Sequence, residues 1–249
     1  MKTEGIFGIP TSTSLNFVFY FVLFGAVYSA IGGGQFFIDL GLRAAGGRNA
    51  GAAKAAIISS GLMGSISGSA VATLATTGLF TIPLMRRTGY SPTFAAGVEA
   101  MASTGGQLMP PVMGVAAFVM TELLQTPYGT IALAGVLPAI TFYFSLLLLV
   151  DLHSRRTGQG TTKPGELKPN PLLRRLYLLI PPVALVSLLV AGFSAGRSAL
   201  YAAAICIPTC YLHKATRLRP RQWLLAIANG TRQAAEAVSY THLTLPTKA

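Results

Sequence analysis

Oxygen-bearing side chains sit in this chain where an apolar segment would need none. The run SSGLMGSISGSAVATLATTGLF, residues 59–80, is apolar enough for a bilayer, yet it centres on Ser67, Gly68 and Ser69. Gly68 permits a turn. Ser65, Ser67 and Ser69 can offer hydroxyls to unsatisfied backbone groups or to a ligand. Thr73, Thr76 and Thr77 follow on the next stretch. If two half-helices meet here, N-terminal amides favour an anion and free carbonyls coordinate a cation such as sodium. Small residues at Gly61, Ser65 and Ser69 equally suit close helix packing.

A second cluster is Ser103-Thr104-Gly105-Gly106-Gln107, followed by Pro110-Pro111. Paired glycines and paired prolines break a helix and free its carbonyls, and the side-chain oxygens of Ser103, Thr104 and Gln107 lie beside them. Interruptions in two neighbouring segments point to a binding site better than either alone. The plainer alternative is a proline kink. Glu99 lies one helical turn before Ser103 inside an apolar run. An acid at such a place marks a functional site by default. Its alternative is a position close enough to the cytoplasmic end to reach water, or to pair with Arg86 or Arg87.

Other chemistries find little support. His153, His213 and His242 accompany no Ser, Cys or acid in a motif, and GSISG holds Ile66 where a nucleophile elbow needs serine. There is no phosphate-binding G-x-x-x-x-G-K-[ST]. Cys206 and Cys210 stand four apart in an apolar segment and read as core residues rather than metal ligands. The chain is therefore expected to be no enzyme and to carry no cofactor.

The elements that must hold these residues follow from composition. Of 249 residues, 52% are hydrophobic and 10% charged, against about 25% charged in soluble domains. This predicts an all-α, polytopic transmembrane protein. The net charge is +12, but the basic residues lie in short loops between apolar segments. That is the pattern of cytoplasmic loops, and no nucleic-acid partner is expected. Apolar spans are read at residues 15–31, 94–124, 128–150, 172–192 and 198–212, with a further segment from 223 to 238. A short helix is expected around residues 36–43, and a polar loop over 151–170. Asp39 and Asp151 close their spans and are read as interface residues. The opening MKTEGIFGIPTSTS shows no cleavable signal peptide.

The positive-inside rule then decides the path of residues 55–85. Arg43, Arg48 and Lys54 precede this segment and Arg86 and Arg87 end it. A simple crossing would place the two clusters on opposite sides. A re-entrant hairpin turning at GSISGSA keeps both in the cytoplasm, with the N-terminus and Glu4 in the periplasm. Only Arg197 then falls outside. Residues 94–124 become a broken helix beside the hairpin.

The stretches GLMGSISGSAVATLATTGLFTIPLMRRTGY and FAAGVEAMASTGGQLMPPVMGVAAFVM resemble the large membrane subunit of the TRAP transporters, and most closely its fused-permease branch. The likeness runs from about residue 5 to 238, with both motif blocks in the family's order. It implies a sodium-coupled secondary importer of an organic acid, C4-dicarboxylate-like or a related carboxylate, in the bacterial inner membrane. A solute-binding protein outside the membrane would deliver the substrate. The implied fold is an inverted-repeat, elevator-type permease with two hairpins and two broken helices. Carried onto this chain, Ser67, Gly68, Ser69, Thr73, Glu99, Ser103, Thr104, Gly105, Gly106 and Gln107 would face substrate or ion. Ser67, Ser69, Ser103 and Thr104 would hold sodium. The second hairpin, second broken helix and small-subunit part are expected in a missing remainder of the permease. SYTHLTLPTKA, residues 239–249, fits neither the family nor a membrane pattern and is expected to be a non-native or disordered tail. The competing expectation is a membrane scaffold whose Gly and Ser segments only pack helices.

Overall fold

The computed structural model describes residues 19–45, 50–160, 172–213 and 216–243. Ten α-helices account for most of them: α1 Phe19–Ala30, α2 Gly33–Ala45, α3 Gly51–Ser67, α4 Ala70–Arg87, α5 Pro92–Gly105, α6 Val115–Leu124, α7 Tyr128–Thr157, α8 Ile180–Val190, α9 Ala195–Tyr211 and α10 Pro220–Leu243. Two 3-10 segments, Gly106–Leu108 and Leu172–Leu179, precede α6 and α8. No strand occurs among the described residues.

The expected hairpin is α3 and α4. Gly68 ends α3 in the left-handed region (φ 63°), and its N–H donates to the Gly64 carbonyl at 2.9 Å. Ser69 then turns extended, and its hydroxyl accepts from the Ala72 N–H at 3.3 Å, an N-cap that starts α4 at once. Hydroxyl pairs Ser67–Thr73 and Ser60–Thr77 step in opposite directions along the two arms. The arms are therefore antiparallel. At 1.5 Å per residue each is about 26 Å long, short of the ~30 Å hydrocarbon core.

The hairpin is pinned at its open end. The Ala50 N–H donates to the Gly160 carbonyl at 3.1 Å, and the Gly160 N–H donates to the Thr88 carbonyl at 2.9 Å. Lys54 pairs with Asp151, which also takes Arg155 at 2.7 Å. The end of α7 thus holds both the entrance and the exit of the hairpin. Around it, α3, α4, α5 and α7 share a core of Ala53, Ile57, Met85, Val98, Leu146 and Val150. A second core gathers α1, α2, α8 and α9 around Phe24, Tyr28, Phe36 and Leu185, and Met63 and Ile66 of α3 reach into it.

Among the described residues α7 alone is long and apolar enough to cross a bilayer by itself, and α1 with α2 qualifies as one span bent by 74°. Leu133, Leu137, Ile140, Phe144 and Leu148 of α7 are exposed along one face. An apolar face open to the surroundings suits lipid or further protein, not water.

Several boundaries differ from expectation. The span read at 172–192 is a 3-10 segment followed by the short α8. Pro181 and Pro182 sit in the first turn of α8, where missing N–H groups are harmless; further into an α-helix they would remove its bonds. The polar loop read from residue 151 begins later, because α7 continues to Thr157. Its last turns carry Asp151–Arg155 at i, i+4, and Gly158 caps them at φ 69°. Asp39, read as closing its span at the interface, is enclosed by protein. It is 2% exposed and accepts from Gln35 and from Arg175 of the 3-10 segment, each at 3.4 Å. Helix α10 runs on to Leu243, inside the segment set apart as a tail; residues 244–249 lie outside the described residues.

Candidate functional site

Two features meet where the hairpin tip abuts the break between α5 and α6, and a third lies further along the arms, between them and α5. The first is the tip. Ser67 is buried, and its hydroxyl lies 2.7 Å from that of Thr73 and 3.3 Å from the Ser69 carbonyl. Gly68 presses on the broken segment: a Cβ there would collide with the Met113 carbonyl oxygen. Ser67, Gly68, Ser69 and Thr73 thus form one local cluster, as the sequence suggests.

The second is the break. After Gly105 the chain passes through the 3-10 turn Gly106–Leu108 and an irregular stretch to Gly114, where the Gly114 N–H closes back on the Gln107 carbonyl at 2.7 Å. The Val112 N–H donates to the Ser65 carbonyl at 3.0 Å, so the break is stitched directly to the tip arm. Tyr128 at the start of α7 donates its hydroxyl toward the carbonyls of Pro111, at 2.8 Å, and Val112. These contacts satisfy carbonyls and amides that the interruption leaves without helical partners.

Gly105 and Gly106 serve packing. Gly64 of α3 crosses Gly106 backbone to backbone, and a Cβ on Gly64 would stand 2.6 Å from the Gly106 Cα. The Phe142 ring covers Gly105. Thr104 on α5 and Gln107 in the 3-10 turn are exposed, and the Thr104 hydroxyl donates to the Ala100 carbonyl at 2.8 Å. They do not join the tip cluster.

The third feature is Glu99, fully buried at 0% exposure. Its Oε1 lies 2.7 Å from the Ser60 hydroxyl, 2.6 Å from that of Thr77 and 3.5 Å from that of Ser103, and its Oε2 lies 2.7 Å from that of Thr81. Both hairpin arms and α5 therefore meet on one carboxylate. Among the described residues no basic side chain pairs with it, and Arg86 and Arg87 are exposed in the last turn of α4. Neither alternative from the sequence, water or an arginine partner, is realised. Ser60 and Thr81 were not singled out in the sequence, because a hydroxyl on a helix usually bonds its own backbone.

A cavity of about 190 Å³ opens beside the tip, lined in part by Ser67 and Thr76 of the hairpin, Ser29 of α1, and Asn229 and Gln233 of α10. It is smaller than the ~300–1,000 Å³ of drug-sized sites. The residues of the break do not line it, so the two sequence clusters touch through the backbone without sharing this cavity. Ser29, Asn229 and Gln233 carry no motif; only the packing of α1 and α10 brings them to the tip.

Over residues 3–238 the sequence matches the family described as "Tripartite ATP-independent periplasmic transporter, DctM component". It is 32% identical over 136 residues to the C4-dicarboxylate TRAP transporter large permease protein DctM of Pseudomonas aeruginosa, covering 55% of this chain and 31% of that protein. It is 28% identical over 187 residues to the 2,3-diketo-L-gulonate TRAP transporter large permease protein YiaN of Escherichia coli, covering 74% and 43%. It is 27% identical over 205 residues to the isethionate TRAP transporter permease protein DctMQ of Oleidesulfovibrio alaskensis, covering 78% and 31%. The matches span between about a third and under half of these relatives' lengths. The chain belongs to the DctM family, the large membrane permease component of the tripartite ATP-independent periplasmic transporters.

Proposed function

We propose that this chain contributes the first hairpin and first broken helix of a sodium-coupled permease for a small organic acid. An extracytoplasmic solute-binding protein delivers the acid, and the remainder of the permease completes the site. The observation that carries the proposal is the tip itself: Ser67, Gly68 and Ser69 form a two-helix turn locked onto the broken segment, beside a small cavity lined in part by hydroxyl and amide side chains. The first amides of α4 start at this turn, and helix N-termini favour anions. Ser67, Ser29, Thr76, Asn229 and Gln233 add neutral donors around the cavity, suited to a carboxylate without fixing its identity. Hydroxyls and carbonyls of Ser67 and Ser69 are the proposed sodium ligands. Ser103 lies with Glu99, and Thr104 faces outward. The names of the relatives, which include a C4-dicarboxylate, a keto sugar acid and isethionate, support an anionic organic substrate. The family supports a bacterial inner-membrane location, and the hairpin reading places the N-terminus in the periplasm.

The test is uptake of a C4-dicarboxylate into liposomes holding a full-length permease that carries this segment, with its binding protein and a sodium gradient. Ser67→Ala and Ser69→Ala should each lower uptake and raise the sodium concentration needed, at normal membrane levels. Unchanged uptake and sodium dependence in both would leave these residues as packing only, the scaffold reading that Gly64, Gly105 and Gly106 already illustrate.

A further inference from the structure

We infer that the groove between the start of α5 and the end of α7 binds an anionic phospholipid, with the headgroup at its polar end and one acyl chain along its apolar end. The two helices run antiparallel here. Phe94 stacks on His153 with ring centroids 4.0 Å apart, and farther along α5 the Phe142 ring covers Gly105. The groove has a volume of about 530 Å³, within the ~300–1,000 Å³ of small-molecule sites. Its walls change character along its length. Ser91, Thr93, Thr157 and Gln159 line one end, and Val98, Met101, Leu146 and Leu149 line the other. From Ser91 to Met101 a helix rises ~15 Å, half of the ~30 Å hydrocarbon core and so the depth of one leaflet.

Gly97 lies midway along the groove wall. A glycine inside a helix weakens it and usually answers to a close neighbour. Gly64 and Gly105 do so here, but a Cβ on Gly97 would meet nothing within 4 Å. What the missing side chain leaves is an open trough. Met101 is 50% and Leu149 53% exposed, so the trough opens sideways, and exposed Leu148 and Leu152 continue its apolar surface around α7. A lipid chain enters from that side. The polar end carries the complementary charge. Arg86, Arg87 and Arg156 are exposed there, and none of them is ion-paired among the described residues. Asp151, the carboxylate of this end, is taken by Lys54 and Arg155. Arg156 follows Leu149 by seven residues, so it lies on nearly the same face of α7, two turns nearer the polar end. Basic pockets between membrane helices suit anionic headgroups. The groove shares no lining residue with the cavity at the tip, so this site and the proposed substrate site stand or fall separately.

The experiment places a full-length permease that carries this segment in phosphatidylcholine vesicles. A trace of phosphatidylglycerol with a photoactivatable diazirine on its acyl chain is added, or phosphatidylcholine with the same chain, and labelled peptides are mapped after irradiation. The phosphatidylglycerol probe should label residues 91–101 and 146–157 about fivefold more than the phosphatidylcholine probe, the preference that one arginine at an anionic headgroup supplies. Arg156→Gln should bring the two probes close to equal. Gly97→Leu fills the trough without striking a neighbour and should lower labelling of these peptides by both probes. Labelling of the other peptides should not change in either variant. Equal labelling by the two probes in the wild type overturns the headgroup assignment. Absence of label at residues 91–101 while other peptides are labelled means that protein covers the groove, and unchanged labelling in Gly97→Leu means that the chain lies elsewhere; either result overturns the site.

Discussion

At the residue scale, Gly68 does two things no other residue can do together. It occupies φ 63°, and its missing Cβ makes room for the Met113 carbonyl. Gly68→Ala should cost roughly 2–4 kcal/mol, part from left-handed backbone and part from the clash with a backbone atom. Chemical or thermal unfolding of the purified chain would read it, and a loss under about 0.5 kcal/mol would mean the turn is looser than described. This glycine was legible in the sequence, since a Gly between two serines in an apolar run has few other uses. Glu99 was legible for the same kind of reason, as an acid where apolar residues surround it. Its partners were harder to see. Thr77 stood in a hydroxyl-rich stretch, but Ser60 and Thr81 became visible only once the arms were set side by side, because the register between two helices is not written in either one. Thr104 shows the reverse: adjacent to Ser103 in sequence, it points about 100° around the helix and leaves the cluster.

At the scale of elements, the hairpin and the broken helix behave as one assembly through a single crossing. Gly64 and Gly106 touch backbone to backbone, and the Val112 to Ser65 bond lies beside them. Gly106→Ala would place a Cβ 2.5 Å from the Gly64 Cα, where no flexible side chain can yield. The arm must then shift away from the break, at about 1–3 kcal/mol. The expected signature is a lower unfolding midpoint with helix content retained in far-ultraviolet circular dichroism. A midpoint unchanged within error would show that the crossing is not tight. The break after α5 followed from glycine and proline chemistry, and the hairpin turn from Gly68 together with the basic residues that flank residues 55–85. The 3-10 start of the 172–192 segment did not, because its apolar residues suit either helix type and only the position of Pro181 and Pro182 decides.

At the scale of the whole molecule, packing brings the two ends of the hairpin together. Helix α7 clamps the open ends of the hairpin arms together through Lys54, Asp151, Gly160 and Thr88. Entrance and exit therefore lie at the same end of α7, the end that carries Arg155 and Arg156. The reading of the basic loops expects both ends of the hairpin on one side of the membrane. The cavity beside the tip could not be anticipated, since it depends on α1 and α10 meeting from opposite ends of the chain.

The account rests on the hairpin returning to the side it entered. The most direct measurement is cysteine labelling in right-side-out and inverted membrane vesicles, with Cys206 and Cys210 replaced by serine and a single cysteine introduced by Arg48→Cys or Arg87→Cys. Both positions should react with a membrane-impermeant maleimide from the cytoplasmic face only. Reaction of the Arg87 position from the periplasmic face would make residues 51–87 a simple crossing and do away with the turn that forms the tip and its cavity.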